Sequence, residues 1–137
     1  MASMRTEELK FETGQTHFTD LTRHVREFAA KTRADGLLNV FVPHATAGLA
    51  VIETGSGSEE DLEAVLERLL PRDDRYAHSH GSLGHGADHL LPAFLSPTVT
   101  FPVVDGEVTL GTWQSIVLVD LNDDNPQRKV RITFIAA

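Results

Sequence analysis

A chain of 137 residues that is 41% hydrophobic and 23% charged reads as one soluble domain spanning residues 1–137, because a chain of this size can bury a single sizeable core. No apolar run approaches the roughly 20 residues that cross a bilayer, and twenty acidic against twelve basic residues leave a net charge of −8, which repels a polyphosphate backbone; neither membrane nor nucleic acid is an expected partner. With no cysteine, disulfides, thiolate ligands and thiol nucleophiles are excluded, so any metal must be held by His, Asp or Glu.

The opening MASMRTEELKFETG has no apolar segment followed by a small-residue cleavage site, and the cytoplasm is the expected location. Residues 5–12, RTEELKFE, suit an edge strand. From Thr19 or Asp20 as cap, a helix places Leu21, Val25, Phe28 and Ala29 on one stripe and stops at Gly36. LLNVFVP reads as a buried strand ended by Pro43, and GLAVIE as a second strand of the same sheet. GSGSEEDLEAVLERLLP has a helix signature: Ser58 as cap, acidic residues in the first turn, Leu62, Val65, Leu66, Leu69 and Leu70 as the stripe, and Pro71 as the stop. In HLLPAFL, Pro92 has no amide hydrogen, so a short helix there is expected to begin near Asp88 or His89. TVTFPVV and EVTL flank Asp105-Gly106, a hairpin signal, and TWQSIVLVD and KVRITFIA give two further strands joined by the turn-forming NDDNPQ. Six or seven strands and two main helices make an α+β fold with a largely antiparallel sheet.

Four of the seven histidines, His78, His80, His85 and His89, fall in one glycine-rich stretch. His85 and His89 have the i, i+4 spacing of helical zinc ligands, but Gly84 and Gly86 argue against a helix at His85, and His80 and His85 read as exposed loop residues. His78 and His89 border ordered elements. In VPHATAG a buried strand opens into an imidazole, a hydroxyl and a glycine, so His44 is a candidate metal ligand, general base or anion donor. Glu53 ends the next strand and needs solvent or a partner. Gln114, beside the single tryptophan Trp113, is an interface or pocket group. The pocket so assembled is poor in Lys and Arg.

Three segments together, HATAGLAVIE, YAH followed by the histidine of ADHL, and DGEVTLGTWQSIVLVD, resemble the YjbQ-like family, whose members have been linked to secondary thiamine-phosphate synthase activity. The resemblance covers nearly the whole chain, and LGTWQ after a DG hairpin is its most specific part. It implies an α+β fold with β-sandwich-like sheets, a homotrimer, and a pocket whose histidines map onto His44, His78 and His89, with His80 and His85 as additions. These three imidazoles would hold a divalent metal ion, Zn or Mg, or receive phosphate. Glu53 and His44 would be catalytic, and Thr46, Trp113 and Gln114 would bind a small-molecule, phosphorylated substrate. Ala45 and Ile52 depart from the family pattern, which bears on the substrate. The implied activity joins a pyrimidine pyrophosphate to a thiazole phosphate; a metal-dependent phosphoester hydrolase and a non-catalytic trimeric ligand-binding protein are the alternatives.

Overall fold

The computed structural model describes residues 3–14 and 16–137. In chain order its elements are β1 (Met4–Glu12), β2 (Phe18–Asp20), α1 (Thr22–Thr32), β3 (Gly36–Phe41), β4 (Gly48–Ile52), α2 (Ser58–Leu69), α3 (His85–Phe94), β5 (Thr98–Val104), β6 (Glu107–Val108), β7 (Ser115–Val119) and β8 (Gln127–Ala136). They form a five-stranded sheet ordered β1-β8-β3-β5-β6 and a three-stranded sheet ordered β2-β7-β4. All pairings are antiparallel. The fold is α+β, and β1 takes the edge that its polarity suits.

The main core lies where the inward residues of the large sheet, Leu38, Val40, Phe101, Val103, Val130, Ile132 and Phe134, meet Val25 and Phe28 of α1 and Leu49, Ile116 and Leu118 of the small sheet. On the other face of the small sheet, Ala50, Val117 and Val119 pack against Leu66 of α2, Leu70 just after it, and Ala87 and Leu91 from α3. The small sheet is thus covered on both faces, which is why β7 is a continuous apolar run rather than an alternating one. Among the described residues, no helix is long and apolar enough to cross a membrane.

Several local expectations are corrected. GLAVIE does not join the sheet of LLNVFVP: β4 pairs with β7 while β3 pairs with β5 and β8, because the chain leaves β3 at Pro43 and crosses to the second layer. Helix α1 ends at Arg33 in a left-handed conformation (φ 49°), and Gly36 already begins β3. Ser58 is the first residue of α2, not its cap; Gly57 holds that position, and Gly55 N donates to the Glu59 carboxylate instead. Of the α2 stripe, Leu66 and Leu70 are buried, whereas Val65 and Leu69 are exposed in the single chain. The third helix begins at His85, three residues ahead of Asp88, and includes Pro92, which gives up only the amide bond to the Asp88 carbonyl. Asp105 (φ 49°) and Gly106 (φ 75°) make the expected hairpin turn.

Candidate functional site

A cleft of about 310 Å³ opens at one end of the molecule, lined by Pro43 to Thr46, His85, His89, Asn122, Asp124, Asn125 and Arg128. Three chain segments meet there: the exit of β3, the N-terminal turn of α3, and the turn between β7 and β8. The register explains why. Strand β3 ends at Phe41 opposite Arg131, so the N-terminal residues of β8 have no β3 neighbour. The Lys129 amide is satisfied by a side chain instead, donating to Nε2 of His44 at 2.9 Å.

That bond fixes the chemistry of His44. With Nε2 accepting, a neutral imidazole carries its proton on Nδ1. Burial, followed by the nearby Arg128 charge, pushes its pKa below the ordinary histidine value. The structure therefore presents His44 as a neutral Nδ1–H donor.

Helix α3 is anchored by Asp88, which is buried and pairs through both carboxylate oxygens with Arg72 and accepts from Nδ2 of Asn122 at 2.9 Å. This network ties the helix start to the loops before and behind it, and His85 and His89 project from the same turn. Nδ1 of His85 meets the Asp124 carboxylate at 3.1 Å, and its Nε2 lies 3.0 Å from Nε2 of His89. Serine 82 donates to the same Asp124 oxygen at 2.9 Å.

The preceding loop folds back over this turn. The His78 ring lies 4.3 Å from those of His80 and His89, and the His80 ring 4.6 Å from that of His85, measured between centroids. One nitrogen from each of His78, His80 and His85 lies within 4.8 Å of the other two. Desolvation, then repulsion from neighbouring imidazoles, lowers the pKa of His78 and His89. Imidazoles at this spacing, one of them backed by a carboxylate, are the donor set of a zinc-type ion and a poor set for magnesium, which prefers oxygen. The residues present fit such an ion.

Over residues 7–137 the sequence matches the family model described as UPF0047 protein YjbQ-like. The chain belongs to this family. It is 64% identical over 132 residues to a UPF0047 protein of Mycobacterium tuberculosis, covering 96% of this chain and 98% of that one. A UPF0047 protein of Methanothermobacter thermautotrophicus is 38% identical across 72% of this chain and 68% of its own. Among solved structures, a YbjQ-like protein of Sulfolobus solfataricus superposes with a TM-score of 0.91 at 24% identity, covering 100% of both chains. A hypothetical protein of Aeropyrum pernix gives 0.83 at 28% identity, covering 98% of this chain and 99% of that one.

The YjbQ-like residues singled out in the sequence separate in space. His44, Thr46 and His89 line the cleft, and the His78 ring lies tilted against that of His89 beside it. His80 and His85, read as loop additions, belong to the imidazole cluster; the expectation of an irregular chain at His85 is corrected, because Asp124 and the Asp88 network hold it on a helix. Glu53 is exposed and accepts from Ser56 Oγ at 3.2 Å, and Gln114 Oε1 accepts from Gly111 N at 2.8 Å. Both lie at the opposite end of the small sheet, where Ile52 pairs with Ser115, the length of β4 (Gly48–Ile52), about 13 Å, from the end at which the chain enters from Thr46. Trp113 is 73% exposed in the single chain; it sits in the turn before β7 and belongs to neither core cluster.

Sequence reasoning missed Arg128, Asp120, Asn122, Asp124 and the Arg72–Asp88 pair. It also described the pocket as poor in basic groups, which Arg128 at the floor of the cleft corrects. A signal was available: in β8, Arg128 shares the inward face of Val130, Ile132 and Phe134, and a charge in the inward register of an alternating strand demands a buried partner.

Proposed function

We propose that this YjbQ-like protein is a cytoplasmic, homotrimeric enzyme that binds a zinc-type divalent ion through His78, His80 and His85 and cleaves a small phosphoester in the adjoining cleft. The observation that carries this reading is the convergence of those imidazole nitrogens within 4.8 Å, together with the Asp124 carboxylate on the outer nitrogen of His85. When bound, the ion supplies Lewis-acid polarisation of the ester oxygen. The protein's own groups do the rest: Asp124 holds the His85 tautomer, His89 flanks the cluster, Thr46 and Arg128 floor the cleft, and His44 offers an N–H toward developing negative charge.

Glu53, Trp113 and Gln114 enter this reading through the trimer. Within one chain they lie far from the cleft, and the exposure of Trp113, Val65, Leu69 and Phe94 leaves apolar surface that a second copy would cover. In the assembly these three residues serve the cleft of a neighbouring copy, with Glu53 as the general base.

The test is metal analysis of protein purified without a histidine tag, then a substrate panel assayed with and without chelator. The panel includes phosphate monoesters and diesters and the pyrimidine pyrophosphate plus thiazole phosphate pair. Stoichiometric zinc and chelator-sensitive ester hydrolysis are expected. Turnover of only the condensation pair would shift the reading to a transferase, and failure of zinc-loaded protein to retain the ion would sink it.

A further inference from the structure

Arginine 128 is 1% exposed, yet its hydrogen-bonding capacity is only partly used. Its guanidinium has five N–H donors. Nε donates to Asp120 at 2.6 Å, and Nη2 donates to Asp120 at 3.0 Å and to Thr46 Oγ1 at 2.7 Å. Those three bonds leave both hydrogens of Nη1 without a partner among the described residues. The side chain is rigid, since Asp120 is itself held by Thr13 Oγ1 at 2.9 Å and accepts from the Asn122 amide at 3.0 Å. Arg128 lines the 310 Å³ cleft and also a neighbouring cavity of about 480 Å³ that it shares with Lys10, Glu12, His44 and Lys129.

We propose that Arg128 Nη1, together with the Nδ1–H of His44, a residue that lines the same two cavities, is a seat for the anionic group of a small-molecule ligand, a phosphate or a carboxylate. A buried guanidinium fixed on three of its donors and open on the remaining two is preorganised for an anion: its orientation is already set, and an anion supplies the acceptors that the protein withholds. His44 contributes a neutral donor whose direction is fixed by the Lys129 amide. Lys10 and Lys129 at the rim raise the local positive potential. Asp124 in the cleft and Glu12 in the second cavity oppose it, which confines the favourable position to the side of the cleft nearest Arg128. The seat does not depend on an ion at the histidine cluster.

The probe is inorganic phosphate, titrated into full-length, metal-depleted protein while the arginine side-chain nitrogen signals are followed by NMR, with acetate in a parallel arm. Saturable displacement of the Arg128 signals by phosphate, acetate or both supports the seat, and the stronger of the two names the anion class. Arg128→Lys keeps a cation for Asp120 but lacks the outer N–H pair, and is expected to weaken binding about tenfold or more. Because that variant changes a buried pair, Thr46→Val and Lys129→Ala are measured alongside it: Lys129→Ala, on the surface, is expected to change affinity only about twofold and in a salt-dependent way. Unmoved Arg128 signals with millimolar anion overturn the proposal. So does phosphate binding that appears only after zinc loading and is indifferent to Arg128→Lys, an outcome that leaves the metal reading standing. Arg128-dependent binding to a protein that never retains zinc does the reverse.

Discussion

The side chains that define the cleft are each placed by a specific partner, and single substitutions separate their roles. Asp124→Asn keeps the size of the side chain but removes the charge that orients His85 Nδ1–H. Zinc affinity is expected to fall about 10- to 100-fold, the usual consequence of losing a carboxylate behind a ligating imidazole, measured by competition with a chromophoric chelator. An unchanged affinity would place the ion elsewhere. His44 makes a different, pH-dependent prediction. Its pKa is lowered by burial and by Arg128, so the folded state binds its proton less readily than the unfolded chain does. The stability contributed by the Lys129–His44 bond is present above the unfolded histidine pKa of about 6.5 and is lost as the pH falls through the lower folded value. His44→Gln retains an acceptor for Lys129 N and cannot titrate, so the acid-side loss of melting temperature in metal-free protein should be smaller in this variant than in the parent. Identical profiles below pH 6.5 would mean that His44 is not an acceptor in the folded state. At this scale the sequence drew attention to the histidine-rich stretch but set His80 and His85 aside as exposed loop residues, whereas both stand in the imidazole cluster; it said little of the partners, since Asp124 and Arg128 reach the site from a turn and a strand more than 30 residues away in the chain.

Among the elements, α3 matters most to the site, and its start was the least legible. Gly84 and Gly86 look like helix breakers when only propensity is considered. In the structure Gly84 takes a left-handed cap position (φ 90°), and Gly86 lets the helix lie directly on the chain at Tyr76 and His78. A Cβ at residue 86 would collide with the His78 carbonyl oxygen and press on the Tyr76 side chain. Gly86→Ala is therefore expected to destabilise the protein by about 1–3 kcal/mol, the cost of overpacking a tight contact, although alanine is intrinsically the better helix former. Denaturant unfolding measures it, and zinc affinity should fall with it because the displaced segment carries His78 and His80. A neutral or stabilising effect would show that the helix does not rest on that segment. The elements with clear periodicity behaved otherwise: α1, with Val25, Phe28 and Ala29 buried, and the β5–β6 hairpin were readable because pattern and turn chemistry agree there. The assignment of β4 to its sheet was not, since adjacency in sequence says nothing about which layer a strand joins once a proline turns the chain away.

For the whole molecule, the arrangement of two sheets separates the polar features into two ends, and this bears on assembly. The cleft, with Arg128 and the histidines, lies where β4 begins; Glu53, Gln114 and Trp113 lie where it ends. A tryptophan 73% exposed, in a turn whose neighbours are otherwise polar, is costly surface for a lone chain. Light scattering is expected to give three times the chain mass at micromolar concentration. Fluorescence then asks whether the interface includes Trp113: emission in the assembled protein should be blue-shifted relative to free tryptophan and move to the red on unfolding. A trimer with fully solvated emission would put the interface elsewhere and remove Trp113 and its neighbour Gln114 from any shared site. A monomer would remove Glu53 as well, because no residue of its own chain brings that carboxylate to the cleft. If both measurements agree with the trimer, His85→Ala and Glu53→Ala proteins, each impaired alone in a cleavage assay, should regain partial activity when unfolded together and refolded as mixed trimers. Complementary copies can then rebuild intact clefts from residues on different chains, whereas a site contained within one chain gives no such recovery.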